Sequence, residues 1–374
     1  MSRKLFFLAF IACLMLSACS RRDENKEWNL TNDSLRYASL LDIARADSFV
    51  LVTIKNPWMQ EKDLHRYILV PDTAPVPKSY PEGTLLRTPL RRVVMHNAVH
   101  AALVSELGCS EALTGLCDIE YVKSPILRRL LDSGEIVDAG SSVQSDIERY
   151  ITMRTDAVFI SPLEHVSYDL LEKVRIPYVE CADYMEASPL GRAEWILLFG
   201  LLFDCEERAR QLFNEVECNY TTFCDKVKLS AKRPHLIVDM LNGGVWHVPG
   251  GKSYLGQLFV DAGADYFMTQ DERRGSVPLS FETVYSKGAD ADFWLIKGAR
   301  TGGLSYDIIK REHVAYATFA PWKKGKVYFC NTLSNDYYER IPFHPDVLLR
   351  ELAYLFHPDC FSEPHVPQYY LPLK

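Results

Sequence analysis

Apolar and polar positions divide the chain into two stretches of alternating strand and helix patterns, on either side of one long amphipathic segment. In that segment apolar residues recur in steps of four and three, which places them in one stripe along a helix. The pattern predicts a helix from Cys205 to Lys228, about 36 Å long, which is more than one small domain needs. We interpret it as a connector between two lobes, and an ordinary long surface helix is the alternative. The stripe consists of Ala209, Phe213, Val216, Tyr220, Phe223 and Val227.

The ends of this connector carry helix-capping signals. Asp204 and Glu207 fit a capping box, in which each side chain bonds a free N–H of the first helical turn. Basic residues at 226 and 228 suit the negative end of the helix dipole, and Pro234 cannot continue a helix. A shorter helix is predicted to start at Ser188-Pro189, because serine favours the N-cap and proline the first helical position.

Short apolar runs before the connector alternate with helical patterns. This alternation is typical of a parallel sheet covered by helices. A segment with five prolines between residues 71 and 89 is predicted to run over the surface, and Tyr67 to Val70 to form an edge strand. The predicted strands are 93–95, 112–116, 136–137, 157–160 and 178–179, and the predicted helices begin near 97, 124, 146 and 165.

The same alternation returns after the connector. The sequence therefore predicts an α/β protein with two lobes, residues 35–185 and 230–374, joined by a helical connector over residues 186–229. In the second lobe the predicted strands are 236–238, 293–296 and 327–329, and the predicted helices are 254–262, 281–287, 306–311 and 347–356.

A weak internal repeat supports the division into two lobes. In each lobe a helix begins with a carboxylate near its N-terminus and leads, through an aspartate, into a buried strand. The first copy is residues 145–160, with Glu148, and the second is residues 279–296, with Glu282. A carboxylate is favoured at the positive end of any helix. That preference alone does not require the same placement in both lobes.

The N-terminus has the three parts of an export signal. Arg3 and Lys4 precede an apolar run that is too short to span a bilayer, and small residues lead to Cys19. We predict a signal peptide over residues 1–18 and a polar tether over residues 19–34. The ending Leu16-Ser17-Ala18-Cys19 resembles a bacterial lipobox, in which Cys19 would be lipidated. A plain signal peptide with a cysteine at this place is the alternative.

Composition narrows the possible functions. Loss of Arg3 and Lys4 with the signal changes the net charge from −7 to −9. An acidic protein of this kind lacks the positive charge that binds DNA or RNA, so a nucleic-acid-binding protein is not expected. Eight cysteines remain between Cys109 and Cys360, without a CxxC pair or zinc-ligand spacing. Spacing alone does not say which disulfides form, if any, and buried free thiols account for most of these cysteines.

Familiar catalytic motifs are missing from the sequence. Gly250-Gly251-Lys252-Ser253 fails as a phosphate loop because Trp246 stands where the first glycine is required. HExxH and GxSxG are absent, and no nucleophile and base have a specific spacing. We therefore predict that the protein is not an enzyme and needs no cofactor. His96 and His100, four residues apart, are better explained as helix-start histidines than as metal ligands.

Aromatic and charged residues gather near the predicted strand ends, where ligands bind in doubly wound sheets. An aromatic ring there can stack on a planar ligand, and Lys297, Arg273 and Arg274 can meet carboxylates. For any single residue, packing or solvated surface is the competing explanation. The aromatic and polar members are Tyr121, Trp246, His247, Tyr254, Asn331, Tyr337 and Tyr338.

This layout resembles the class III periplasmic binding proteins, the substrate-binding lipoproteins of ABC importers for iron–siderophore complexes, haem and cobalamin. The resemblance covers roughly residues 90–357. It is carried by the lipobox at Cys19, residues 92–108 with Gly115, Asp146-Ile147-Glu148 leading to Asp156, the segment Trp246 to Asp265, and Ser280-Phe281-Glu282.

The resemblance implies two doubly wound α/β lobes joined by a long rigid helix, with one ligand in a cleft between them and limited closure. It implies that Glu148 and Glu282 dock onto arginines of a permease dimer that works with its ATPase. Ser142 replaces a ring-stacking tryptophan of the cobalamin binder, which speaks against corrinoid specificity. The residues expected in the cleft are His96, Asn97, Tyr121, Ser141, Ser142, Trp246, His247, Lys252, Arg274, Lys297 and Asn331.

The function expected from the sequence is therefore capture of an iron complex, either a siderophore or haem, or of a corrinoid, for an ABC permease. The protein would act as a monomer, anchored by lipid to a membrane of the cell envelope and facing the periplasm. A binder of free zinc or manganese, which needs several converging histidines and carboxylates, is the alternative. An exported hydrolase is a further one.

Overall fold

A computed structural model describes residues 28–374 of the chain. The predicted signal peptide, Cys19 and the first part of the tether lie outside the described residues. Between residues 28 and 374, every helix is too short or too polar to cross a bilayer.

The described chain begins with a five-stranded sheet, of which the sequence predicts only residues 67–70, a part of β4 that lies inside the sheet and not at its edge. Strands β1 to β4 pair antiparallel, and β4 and β5 pair parallel. The region between residues 71 and 89 is thus not entirely a surface loop, because its last part forms edge strand β5. The strands are β1 (Thr31–Asn32), β2 (Leu41–Arg45), β3 (Val50–Lys55), β4 (Asp63–Pro71) and β5 (Thr84–Thr88).

One face of this N-terminal sheet joins the core of the first lobe. Leu41, Val52, Ile54 and Tyr67 are buried in the same apolar cluster as Val93 of the neighbouring parallel sheet. Burial of apolar area at about 25 cal/mol per Å² drives this contact. The N-terminal sheet is consequently an integral layer of the first lobe.

The first lobe contains a five-stranded parallel sheet in the order β10-β9-β6-β7-β8. Side chains of Asn97, Ser124 and Asp146 accept N–H groups at the starts of three helices, as the sequence predicts. The elements are β6 (Val93–Met95), α1 (Ala98–Glu106), β7 (Leu113–Leu116), α2 (Pro125–Asp132), β8 (Val137–Asp138), α3 (Ile147–Thr152), β9 (Ala157–Ile160), α4 (Asp169–Val174) and β10 (Tyr178–Glu180).

Three helices form the connector. Ser188 caps the first of them as predicted, but the capping box at Asp204 is wrong. Asp204 has a left-handed backbone with φ of 55°, and Cys205 is the N-cap without a side-chain bond. The helices are α5 (Pro189–Glu194), α6 (Ile196–Leu202) and α7 (Glu206–Lys228).

Helix α7 contacts the cores of both lobes. Its first turns bury Ala209 and Leu212 in the first-lobe core, and the following turns bury Phe213, Val216 and Tyr220 in the second-lobe core. A single helix therefore supports both lobes, as the hydrophobic stripe predicts.

Two buried glutamates attach the N-terminal chain to the connector. Glu186 accepts the N–H groups of Ser39 and Leu40, and also Nε1–H of Trp195 at 3.0 Å. Glu194 accepts three further backbone N–H groups, of residues 36–38, at 2.7 to 2.8 Å. Charge-assisted hydrogen bonds of this kind satisfy carboxylates away from water.

The second lobe has its own five-stranded sheet in the order β14-β11-β16-β17-β18, parallel except for β18, and a small antiparallel sheet β12-β13-β15. The elements are β11 (His235–Val238), β12 (Leu241–Asn242), β13 (Val245–Pro249), α8 (Tyr254–Asp261), β14 (Asp265–Tyr266), β15 (Ser276–Leu279), α9 (Phe281–Gly288), β16 (Phe293–Gly298), α10 (Tyr306–Glu312), α11 (Ala320–Lys323), β17 (Val327–Asn331), α12 (Tyr337–Arg340), α13 (Pro345–Phe356) and β18 (Leu371–Pro372).

A segment of the second lobe crosses to the first. Glu339 accepts the N–H of Lys123 at 2.7 Å, and Nε2 of His344 lies 2.8 Å from the carboxylate of Glu106. Phe343 is buried in the first-lobe core. The two lobes are therefore in contact through this crossing as well as through the connector.

Candidate ligand-binding cleft

A large cleft lies between the lobes and has two halves. The first-lobe half has a volume of about 1150 Å³ and the second-lobe half about 1170 Å³. Arg192, Tyr254 and Tyr338 border both halves. The halves therefore adjoin at these three side chains, and α5 of the connector contributes to the wall of both.

The parallel sheet of the first lobe positions the polar residues of its half. His96 and Asn97 follow directly after β6, and Nδ2 of Asn97 donates to the hydroxyl of Ser161, beyond the end of β9, at 2.9 Å. His96 is buried, and its Nε2 lies 3.2 Å from the Tyr150 hydroxyl. Burial lowers the pKa of His96 to about 4, so the imidazole is neutral at pH 7.

A turn after β7 holds the loop that carries Ser142. Asp118 adopts a left-handed backbone with φ of 51° and accepts the N–H of Ser142 at 3.2 Å as well as its hydroxyl proton. Ser142 thereby lies in the cleft wall beside Tyr121 and Val143. The hydroxyl of Ser142 is already occupied by Asp118, so backbone and neighbouring side chains form the available surface here.

Exposed apolar side chains characterise the first-lobe half. Val143 is 94% exposed, Tyr121 68% and Leu170 60%, and all three line the cleft. Side chains of this kind that cluster around a concave surface are typical of ligand-binding sites.

Cationic side chains characterise the second-lobe half. Its lining includes four cationic residues, Arg192, Arg274, Lys297 and Arg300, against the two acidic residues Asp239 and Glu312. Arg300 is paired with Glu312. Arg192 is paired with Asp183. Arg274 and Lys297, which form no salt bridge with a described residue, supply the positive charge of this half.

Lys297, at the end of β16, is the central cation of this half. Its Nζ lies 5.0 Å from the ring centroid of Tyr337 and 5.4 Å from that of Tyr338. Although burial lowers its pKa, the two tyrosines and Asp239 outweigh that effect and raise the pKa above its usual value. The ammonium group is therefore charged at neutral pH.

Asp239 follows β11 and sits in a left-handed conformation with φ of 60°. One of its carboxylate oxygens accepts the N–H of Lys297 at 3.3 Å. Burial raises the pKa of Asp239 to about 6, and Lys297 only partly offsets this. Ionisation of this carboxyl group therefore costs more free energy in the cleft wall than it does in water.

Arg192 is a cleft-lining residue that the sequence did not predict. It is only 7% exposed, its Nε donates to Asp183 at 2.9 Å, and its guanidinium lies 4.6 Å from the ring centroid of Tyr254. His100 contacts the other oxygen of Asp183 at 2.9 Å. Burial raises the pKa of Asp183, but Arg192 and His100 outweigh it and hold that pKa below its usual value.

A signal for Arg192 was present in the sequence. It is the only cation in the apolar run from Ser188 to Phe203, within the predicted connector. A charged residue in such a run requires a buried partner or a ligand.

The structure brings seven of the eleven expected ligand-binding residues to the cleft wall. In the first-lobe half these are His96, Asn97, Tyr121 and Ser142, and in the second-lobe half they are His247, Arg274 and Lys297.

Trp246 is wrong as a ligand-stacking residue. Its side chain is fully buried, its Nε1 donates to the carbonyl of Val238 at 2.9 Å, and its ring packs on Trp294 and Tyr316. Strand β13 alternates its faces, so Trp246 points into the core while His247 points outward.

Three other expected residues lie outside the cleft lining. Ser141 accepts the N–H of Val143 in its own turn. Lys252 is half exposed and lies 3.9 Å from the carboxylate of Glu272. Asn331 bonds both the N–H and the carbonyl of Arg300, at 3.2 and 2.9 Å, so its amide holds a turn.

The two glutamates of the internal repeat occupy equivalent places. Glu148 is the second residue of α3 and Glu282 the second residue of α9, and both are exposed. Backbone N–H and the hydroxyl of Ser280 hydrogen-bond the carboxylate of Glu282 and lower its pKa. The repeat therefore exposes a glutamate carboxylate at the same helix position in each lobe.

Among the residues that the structure describes, no three or more histidine, cysteine, aspartate or glutamate side chains converge in a way that would hold a metal ion. His100 is taken up by Asp183, while His96 lines the cleft. The pair at 96 and 100 does not face one common ligand.

Residues 101–332 match the family model described as periplasmic binding protein. The chain belongs to this family. It is a class III periplasmic binding protein, a solute-binding protein of the ABC-transporter type, which confirms the resemblance drawn from the sequence. The predicted fold class, two α/β lobes with parallel sheets, is confirmed as well.

Two relatives are uncharacterized lipoproteins of Methanocaldococcus jannaschii. One is 28% identical over 293 residues, which covers 74% of this chain and 68% of the relative. The other is 23% identical over 326 residues, which covers 83% and 80%. Both relatives carry the word lipoprotein in their names.

Solved structures show the same fold at low sequence identity. A periplasmic heme binding protein from Pseudomonas aeruginosa has a TM-score of 0.59 at 15% identity, covering 76% of this chain and 98% of that one. A molybdate-bound periplasmic binding protein from Haemophilus influenzae has 0.59 at 17%, covering 74% and 89%. An ABC transporter substrate-binding protein from Listeria monocytogenes has 0.57 at 18%, covering 72% and 99%. At these identities the likeness concerns the fold alone.

Proposed function

We propose that this protein captures an iron complex, either a siderophore or haem, or a corrinoid, in the cleft between its lobes and delivers it to an ABC permease. The observation that carries this proposal is the chemical asymmetry of the cleft. Exposed apolar side chains line one half, and two cations that form no salt bridge with a described residue, Arg274 and Lys297, line the other. A large ligand with an apolar or planar part and acidic groups is complementary to both.

The size of the cleft favours such a ligand over a small ion. Each half alone exceeds 1100 Å³, above the range of about 300–1,000 Å³ typical of pockets for drug-sized molecules. A bare oxyanion or metal ion is so small that most of this surface would stay exposed to water. A metal chelate, a porphyrin or a corrinoid would contact both walls.

The cations of the second-lobe half are suited to acidic groups. Arg192 and Lys297 are removed from bulk water, where a charge-assisted hydrogen bond to a carboxylate gains most. Arg274 lies closer to the rim. A free zinc or manganese ion, the alternative cargo, would meet positive charge here, and the described residues offer it no cluster of ligands.

We further propose that Glu148 and Glu282 contact the two permease subunits. Their equivalent helix positions and exposure support a two-fold contact with a two-fold partner. Lipidation of Cys19 would hold the protein at the membrane surface where the permease lies. Charged contacts at an interface rim act on association rate and depend on salt.

Thermal-shift screening against haem, cobalamin, cobinamide and ferric siderophores tests the ligand class. A specific ligand at 100 times its Kd stabilises the native state by about 2.7 kcal/mol, which raises Tm measurably. The visible spectrum of protein purified from its own envelope is the companion measurement, because haem and corrinoids have distinct absorption bands. A colourless protein that carries zinc and shifts with none of these ligands would overturn the proposal.

Charge reversal tests docking separately from capture. Glu148→Lys with Glu282→Lys should abolish uptake while the purified protein keeps its ligand affinity. The matched control is Glu215→Lys with Asp307→Lys, which reverses two exposed carboxylates elsewhere and should leave uptake intact. Loss of ligand affinity in the first double variant would show that these glutamates serve the cleft instead.

A further inference from the structure

Two half-buried cysteines lie in contact where the first lobe meets the connector. Sγ of Cys109 is 3.4 Å from Sγ of Cys205, although 96 residues separate them in the chain. Cys109 follows helix α1, and Cys205 is the N-cap of helix α7. Of the described cysteines, these two form the only pair joined by a sulfur–sulfur hydrogen bond.

The backbone holds both cysteines in place independently of their side chains. The N–H of Cys109 donates to Val104 at 3.0 Å, and the N–H of Cys205 donates to Gly200 at 2.9 Å. Helices α6 and α7 are packed so closely that a Cβ at Gly200 would lie 2.6 Å from Cβ of Ala209. The proximity of the two sulfurs is therefore a consequence of the fold around them.

We propose that Cys109 and Cys205 form a disulfide in the exported protein. The S–S bond is about 2.0 Å long, so the sulfurs need to approach by about 1.4 Å, within reach of small χ1 changes. Periplasmic binding proteins work outside the cytoplasm, where disulfides persist. This inference does not depend on the nature of the ligand.

The neighbouring thiol also favours the reaction. The hydrogen bond between the two thiols lowers the pKa of Cys109, although burial opposes it, and a thiolate is the nucleophile in thiol–disulfide exchange. The thiolate of Cys109 would attack the disulfide of an envelope thiol oxidoreductase and release one of its sulfurs as a thiolate. Cys205, as thiolate, would then attack Cys109 Sγ and release the second sulfur. The two cysteines lose two protons and two electrons, and the oxidoreductase becomes a dithiol.

The bond would attach the far end of α1 to the start of α7, the last helix of the connector. Helix α1 is capped by Asn97 in the cleft wall, and α7 supports the cores of both lobes. A covalent link at this place restricts movement of the first lobe relative to α7. It would also constrain the unfolded chain through a closed loop of nearly a hundred residues.

Alkylation and mass spectrometry of the full chain extracted from its own envelope test the proposal. The unfolded, unreduced protein is treated with N-ethylmaleimide, which labels free thiols. Labelling of six of the eight described cysteines, with one linked peptide pair containing Cys109 and Cys205, is the expected result. Labelling of all eight, or a link to another cysteine, would overturn the proposal.

Thermal unfolding with and without a phosphine reductant is the second measurement. Reduction should lower Tm of the wild-type protein by roughly 5 °C. It should leave Cys109→Ala and Cys205→Ala unchanged, since neither can form the bond. Cys218→Ser, at an exposed position on the same connector helix, is the matched control and should keep the full reductant effect. A wild-type Tm that is the same with and without the reductant would contradict the proposed disulfide.

Discussion

The two halves of the cleft differ in chemistry although both lobes use parallel sheets to build them. In the first-lobe half, the side chains that reach into the cleft are mostly apolar, with Tyr121, Val143 and Leu170 exposed. In the second-lobe half, Lys297 and Arg274 provide positive charge. The loops after the strands therefore determine the chemistry of each half, and the sheets determine only where those loops meet.

This difference indicates how a ligand is oriented. An apolar or planar part gains most against the first lobe, where it removes apolar side chains from water. Acidic groups gain most against the second lobe. Arg192 borders both halves, so a variant at this residue tests the wall that they share. Variants at Lys297 and Asp239 test the second-lobe half, and a variant at Tyr121 tests the first-lobe half.

The largest effect is expected at Arg192. Arg192→Met removes the partner of buried Asp183 and should lower the free energy of unfolding by about 3–5 kcal/mol, the usual cost of leaving one buried charge uncompensated. Urea unfolding measures it. The matched control is Arg149→Met, whose half-exposed ion pair with Asp146 should contribute at most about 1 kcal/mol.

A second variant separates the charge from the packing. Asp183→Asn combined with Arg192→Met leaves no unpaired carboxylate and should recover part of the lost stability. If Arg192→Met lowered the free energy of unfolding by no more than Arg149→Met does, the ion pair of Arg192 with Asp183 would not stabilise the shared wall.

Lys297→Met tests the charged half directly. Loss of a charge-assisted hydrogen bond of about 1.5–3 kcal/mol should weaken binding of an acidic ligand by roughly 10- to 100-fold, measured by calorimetry with the ligand found in the thermal-shift screen. Lys252→Met, at a lysine outside the cleft lining, should leave affinity unchanged. Equal losses in both variants would mean that general charge attraction, not the cleft, binds the ligand.

Asp239 makes the same half sensitive to pH. Its pKa in the native state is about 6, above that of an unfolded aspartate, so the native state binds more protons between about pH 4 and 6. Its contribution to stability is therefore present below pH 4 and is lost as the pH rises through 6. Asp239→Asn removes this loss and should stabilise the protein by about 1–2 kcal/mol at pH 7, allowing for its half-buried position.

Urea unfolding of both proteins at pH 5 and pH 7 checks this expectation. The advantage of Asp239→Asn should grow with pH. An advantage that is constant or shrinks would show that Asp239 is stabilised as a carboxylate, and that the charge excess of the second-lobe half is smaller than its residues indicate.

Periodicity was sufficient to predict the lobes, because alternating helices and strands can bury their apolar faces in few ways. It also predicted α7, whose stripe meets two cores. The capping box at Asp204 failed since the tight turn after α6 needs a left-handed residue there. Edge strand Thr84–Thr88 was missed because the five prolines between residues 71 and 89 favour a surface loop.

Individual cleft residues were harder to predict, because a side chain's direction depends on its strand face. Trp246 and His247 are neighbours on β13 and cannot both face the ligand. Contacts that form only on folding, such as Arg192 with Asp183 or Cys109 with Cys205, leave no periodic pattern in the sequence from which they could be predicted.

The smallest effect is expected in the apolar half. Tyr121→Ala removes a ring that is exposed in the free protein, so stability should change by no more than about 0.5 kcal/mol. Stacking on a planar ligand is worth about 0.5–1.5 kcal/mol beyond area burial, and affinity should fall about fivefold. Calorimetry measures it, with Tyr80→Ala, an exposed tyrosine outside the cleft lining, as control. A ligand that binds Tyr121→Ala as tightly as the wild type would show that its apolar part does not rest against this ring, and would reverse the orientation inferred from the two halves.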